Sequence, residues 1–186
     1  MVTNFEVKLW CKGGYIENIM DIFFVNKNIP NSKKYNQYRK DISEFMLIAA
    51  EHGHFNIVKY FIKIGADIYY KNGMVLYYVS RSGDLETVKF LLQNDSSFFS
   101  VVAVRIAIAN NHIDILKLFL EQIRKGKDIN IHNGIYLITA IKSENLEAVK
   151  LLFENGADLN INNKIALEWA EHYNFKDIIK FLTENG

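Results

Sequence analysis

The side chains able to do chemistry are few, and their spacing decides what they could do. Cys11 is the chain's one thiol, and nucleophilic catalysis would need a histidine held beside it. No nucleophile motif surrounds it, so a packed thiol is the expectation. Of the five histidines, His54 and His112 recur at one position, at the start of a helix, which marks them as structural. His52 and His54 could together touch a metal, but no clustered carboxylates or cysteines complete a ligand set. Gly13-Gly14 lacks the G-x-x-x-x-G-K-S/T context of a phosphate-binding loop. Lys33, Lys34, Arg39 and Lys40 interleave with Tyr35 and Tyr38, a composition that can contact phosphates and stack bases. A solvated loop or an extra helical turn is the plainer reading of that run. The chain is therefore expected to be no enzyme and to use no cofactor or metal.

What would position such residues is a repeat. A lysine following an apolar residue recurs at Lys59, Lys89, Lys117, Lys150 and Lys180, at separations of 30, 28, 33 and 30 residues. Asn56, Glu86, Asp114, Glu147 and Asp177 stand three residues before these lysines, in the first helical turn, where acids oppose the helix dipole. Gly53, Gly83, Asn111, Glu144 and Asn174 stand six before. Glycine and asparagine tolerate the positive φ of a tight interhelical turn, so Glu144 predicts a different turn at its position. Ahead of each turn, Met46 and Ala49, Leu76 and Val79, Val104 and Ala107, Leu137 and Ala140, and Leu167 and Ala170 put a large and a smaller residue on one helical face. The unit is thus helix, turn, longer helix and connecting finger. Asp158 to Asn163, alternating apolar and polar, predicts an extended finger. No such unit buries its apolar face alone, but stacked units do.

These motifs resemble the ankyrin-repeat family. Gly65-Ala66-Asp67-Ile68 and Gly156-Ala157-Asp158-Leu159-Asn160 are similar to that family's G-A-D-V-N finger, and Gly53-His54-Phe55-Asn56-Ile57-Val58-Lys59 to its G-H-L-E-I-V-K core. The T-P-L-H opening is almost erased, reading Glu44-Phe45-Met46-Leu47 and Ile165-Ala166-Leu167-Glu168. Repeats near 30 residues rather than 33 imply shortened fingers. Short-fingered, Asn/Ile/Lys/Tyr-rich repeats of this kind resemble those of giant DNA viruses. The resemblance implies an all-α solenoid of stacked helix-turn-helix units, about five to six in number. Residues 1–43 read as a degenerate capping repeat plus an inserted basic loop around Pro30, and residues 44–186 as five repeats. Thr183 replaces the apolar residue of Ile62, Leu92, Leu120 and Phe153, so the last repeat reads as a polar cap. Glu121 to Gly126 should lengthen a second helix by about one turn, and Phe98-Phe99 should pack back onto the stack.

Composition agrees with a packed repeat array. Hydrophobic residues at 49% suffice for a continuous core, and mean hydropathy lies near zero. No apolar run reaches the roughly 18–20 residues that span a membrane. A single cysteine suits a reducing compartment, and the first residues lack a secretory pattern, so an intracellular, cytoplasmic setting is expected. Net charge of +1 exerts no global pull on nucleic acid or anionic lipid.

Function follows from the resemblance as protein binding, by a monomer, through the concave face and fingers. The family's contacts come from the two residues before each turn and from the fingers. Here these are Glu51-His52, Arg81-Ser82, Asn110, Lys142-Ser143 and His172-Tyr173, with Tyr69, Tyr70 and Lys71 on a finger. The rival readings are an adaptor that recruits a target to a degradation or host-regulatory complex, and a weak nucleic-acid contact through residues 32–40.

Overall fold

The computed structural model describes residues 3–24, 32–95 and 98–186, the side chains of 22–24, 32–34 and 162–164 excepted. Among the described residues the chain forms helices only, in six consecutive pairs. These are α1 (Asn4–Gly13) with α2 (Ile16–Phe24), α3 (Ser32–Glu51) with α4 (Phe55–Lys63), and α5 (Tyr70–Ser82) with α6 (Leu85–Asn94). They continue as α7 (Val101–Ala109) with α8 (Ile113–Ile123), α9 (Ile131–Lys142) with α10 (Leu146–Glu154), and α11 (Ile161–His172) with α12 (Lys176–Asn185). The chain divides into two compact units, residues 1–94 and 95–186. In the first, α1, α3 and α5 pack side by side as an inner layer, and α4 lies against α6 outside. In the second, α7, α9 and α11 form the inner layer, while α8, α10 and α12 form the outer.

The paired inward residues explain the layering. Met46, Ala49, Leu76, Val79, Val104, Ala107, Leu137, Ala140 and Ala170 are buried, and Leu167 half-buried. The small member of each pair lets the neighbouring inner helix approach. Phe98 is buried, and Phe99 packs back onto the second unit, meeting the Phe119 ring edge-on at 6.2 Å. The extension at Glu121 to Gly126 is shorter than one turn: α8 has 11 residues against 9 or 10 in α4, α6, α10 and α12, and ends at Ile123, with the chain turning at residues 124–126.

Three expectations are corrected. Glu144 does not make a different turn. It takes φ 51°, beside φ 58° at Asn111 and Asn174. The next residue's N–H reaches the same carbonyl in each hairpin: His112 to Ala107, Asn145 to Ala140 and Phe175 to Ala170, all at 2.9 Å. These are the paired backbone bonds of a left-handed helix C-terminus, imposed on glutamate by the repeat geometry.

Nor is the finger extended. The Ile161 N–H bonds Asp158 O at 3.3 Å, the Asn160 N–H bonds Asp158 Oδ1 at 2.9 Å, and helix α11 begins at Ile161. In α5 and α9 the entry is a left-handed turn of three residues, Lys71-Asn72-Gly73 and His132-Asn133-Gly134. Its φ values rise from 49° to 73° in both, ending on the glycine. A third-position side chain at Gly134 would collide with Ile161.

The inserted basic loop, finally, is helical from Ser32 onward as the start of α3. Buried Ile42 anchors that stretch, Gln37 Nε2 donates to Asp41 Oδ1 at 2.8 Å, and Ser43 Oγ donates to Arg39 O. Ser43 Oγ in turn accepts the Asp67 N–H at 2.8 Å, tying α3 to the following finger turn. Pro30 lies outside the described residues.

Candidate functional site

The turn geometry sets which side chains are exposed. Each inner helix buries one face against the outer layer and its neighbours, and its last residues, just before the left-handed turn, project outward. Glu51, His52, Arg81, Ser82, Asn110, Lys142, Ser143, His172 and Tyr173 are all exposed. On the finger turn, Tyr69 and Lys71 are exposed while Tyr70 is half-buried, with the Lys71 ammonium 5.7 Å from its ring centre. Several of these side chains also brace their own helix. His52 Nδ1 donates to Ile48 O at 2.9 Å, Ser82 Oγ to Val79 O at 2.8 Å, and Asn110 Nδ2 to Ile106 O at 2.8 Å.

In the first unit the polar groups of this face engage each other. The Lys8 ammonium meets Glu44 Oε1 at 2.9 Å, which raises the lysine's pKa. Burial raises the Tyr78 hydroxyl's pKa, helped by the Glu51 carboxylate that accepts its hydrogen bond. Tyr78 also meets Tyr77 edge-on at 5.3 Å. Arg39 lies 3.6 Å from Asp67, so one cation of the basic run already faces a carboxylate.

The second unit carries an aromatic stack. Trp169 and Tyr173 lie nearly parallel, 5.7 Å apart, and Tyr173 stacks on Phe175 at 5.5 Å. The Lys142 ammonium caps the free side of Trp169, 3.7 Å from the ring centre. His172 meets Tyr173 edge-on at 4.8 Å. Ile165, Glu168, Trp169 and His172 line a shallow open depression along α11. One repeat earlier Arg105 Nε donates to Thr139 Oγ1 at 3.2 Å, again reaching from one inner helix to the next.

Lys142, His172 and Tyr173 are thus brought together, around a residue that sequence reasoning missed. Trp169 escaped notice because it lies between the inward pair Leu167 and Ala170, outside the pre-turn positions the resemblance marks. Its spacing of three and four residues from His172 and Tyr173 was the available signal.

Two candidate chemistries are accounted for by packing. His54 Nε2 donates to Lys12 O at 2.7 Å, across 42 residues, linking the first two hairpins. Cys11 is fully buried, and burial pushes its thiol up to about 12, which keeps it a protonated, unreactive group at neutral pH. Among the described residues no cluster of three histidine, cysteine or acidic side chains could hold a metal, and no helix is long and apolar enough to cross a membrane.

Side-by-side helical hairpins, closed by one recurring left-handed turn and joined by short fingers, define a helical repeat protein. A family model described as ankyrin repeats (3 copies) matches twice, over residues 11–101 and 104–186. The chain belongs to the ankyrin-repeat family. An ankyrin repeat protein of Acanthamoeba polyphaga mimivirus is 32% identical over 91 residues, a match covering 49% of this chain and 19% of the viral protein. The chain therefore spans about a fifth of that relative's length. Ankyrin repeats are in general protein-protein interaction modules, a fold without enzymatic activity of its own.

Proposed function

We propose that this protein binds a partner protein through the open face of its inner helices and the adjoining finger turns. The observation that carries the reading is the division of labour along each inner helix. The inward pair is buried, Leu167 being half-buried, while the residues just before each turn are exposed in the second to sixth hairpins. Those side chains can match a partner without disturbing the core. Tyrosine and arginine, residue types that dominate interface energetics, stand among them, and half-buried Trp169 lies beneath Lys142 on the same face. The marker lysines serve the other side. Lys89 pairs with Glu86 at 2.9 Å and Lys117 with Asp114 at 3.8 Å, within single outer helices.

Capture with the intact chain followed by mass spectrometry should return a specific protein, whose binding is then titrated. Tyr69→Ala with Arg81→Ala, or Trp169→Ala alone, should weaken it at least tenfold, about 1.4 kcal/mol. Lys89→Glu with Lys117→Glu should change it far less. Abolition by the lysine reversals, with the inner-face variants unaffected, would place the working surface on the outer helices instead.

A further inference from the structure

The inner-helix faces of the two units differ in how their charges are used. In the first unit Lys8 is paired with Glu44, and Glu51 accepts from Tyr78. In the second, Arg105 reaches only the neutral Thr139 hydroxyl and Lys142 only the face of Trp169. Glu168, exposed on the same face of α11, has no cation within 4.0 Å among the described residues. The charges therefore run positive on α7, positive on α9 and negative on α11, unneutralised by their neighbours. Between them the same face carries apolar side chains, with Val102 51% exposed and Ile135, Ile138 and Ile165 half-buried.

An incoming segment gains most where it meets charges not already satisfied, because it need not break an existing pair to reach them. Charge-assisted hydrogen bonds to such groups are the stronger kind. Neighbouring packed helices lie roughly 8–10 Å apart, and an extended chain advances about 3.3 Å per residue. A segment crossing the inner helices would therefore place side chains over successive helices about three residues apart. Resting on the protein-binding reading above, we propose that the inner-helix face of the second unit binds an extended segment of a partner protein. That segment carries an acidic residue opposite Lys142, a basic residue opposite Glu168 about three positions away, and aliphatic or aromatic residues between. The aromatic stack makes the apolar floor at the α11 end, and Lys142 is held ready by the Trp169 ring rather than by a competing carboxylate.

The test uses a random twelve-residue peptide display library selected on the full-length chain. The selected peptides should share an Asp or Glu three or four positions from an Arg or Lys, with apolar residues between. The double variant Lys142→Glu, Glu168→Lys, checked for an unchanged thermal melt, should bind them at least tenfold more weakly. Exchanging the two charges within the peptide should restore binding to that variant. Peptides without the charge pair, peptides indifferent to the double variant, or no selected peptide at all would overturn the inference. Peptides lost on Tyr69→Ala with Arg81→Ala, and unaffected on the double variant, would overturn it too while supporting protein binding. Failure of the broader reading is separate: it requires that the intact chain capture no specific protein.

Discussion

Replacing Glu144 should make the protein more stable, because its left-handed backbone costs more than its carboxylate contributes. Glu144 has φ 51° at a position held elsewhere by glycine or asparagine: Gly14, Gly53, Gly83, Asn111 and Asn174. A side chain beyond glycine in the left-handed region costs about 1–2 kcal/mol. The hydrogen bonds of the turn, Glu144 N–H to Ile141 O at 2.8 Å and Asn145 N–H to Ala140 O at 2.9 Å, belong to the backbone and survive substitution. Two terms oppose the gain. Glycine frees the unfolded chain, costing about 0.4–1 kcal/mol, and the lost carboxylate just ahead of α10 forfeits about 0.3 kcal/mol of helix-dipole attraction. The balance for Glu144→Gly is a gain of roughly 0.5 kcal/mol. Glu144→Asn, which keeps a side chain but suits the left-handed region, should gain a similar amount. Urea melts at high salt, which screens the dipole contribution, read the difference as a higher midpoint at unchanged slope. Glu147→Gly, within regular α10, should instead lose about 1 kcal/mol. If Glu144→Gly fell with Glu147→Gly, the turn would carry no strain and the repeat geometry would not be imposing it.

Ala140 is fully buried where inner helices meet, so Ala140→Phe should cost about 1–3 kcal/mol or more, whereas exposed Arg81→Ala should shift a urea melt by less than about 0.5 kcal/mol. Asn145 is buried; its Oδ1 caps α10 through the Ala148 N–H at 3.0 Å, and its Nδ2 donates to Asn111 Oδ1 at 2.9 Å. Asn145→Ala should therefore cost about 2–3 kcal/mol, against about 1 kcal/mol for Ser100→Ala, whose hydroxyl caps α7 alone; equal losses would show that the link between hairpins is idle. Burial pushes the Cys11 thiol from 9.0, and the Tyr136 hydroxyl from 10.0, each up to about 12. The unfolded chain then ionises first, so this stability is fully present below pH 9 and is lost as pH rises toward 12. Thiol titration of the folded chain should be slow at pH 8 and become rapid in denaturant; rapid labelling of the native protein would contradict the burial.

How far the chain could be read without its structure varies from one element to the next. The helix pairs were legible because their signals are local. A period of 3.6 residues places Leu137 and Ala140 on one face, and Asn111 or Gly53 stops a helix by its own backbone preference. Clusters such as Gly65-Ala66-Asp67 mark the finger turns in the same local way. The twelve contact residues were named from family resemblance, and the structure adds only that eleven of them are exposed and Tyr70 half-buried.

Other features depend on groups far apart along the chain. Glu144 has no intrinsic reason to turn left-handed; it does so because α9 and α10 must close like their neighbours for Asn145 to reach Asn111. Residues 32–43 break the repeat register and left a loop or an extra helical turn open; the helix is settled by distant contacts, with Ile42 buried and Ser43 binding the Asp67 N–H 24 residues away. Trp169 lies outside the pre-turn positions, but its ring lies beneath Lys142, 27 residues earlier, and against Tyr173, one helical turn later. The sequence by itself determined the repeat, the helices and the turn positions, because these follow from periodicity and backbone preference within a few residues. Tertiary structure alone decided which charges found partners and which aromatics stacked, because only packed neighbouring helices bring those side chains within reach.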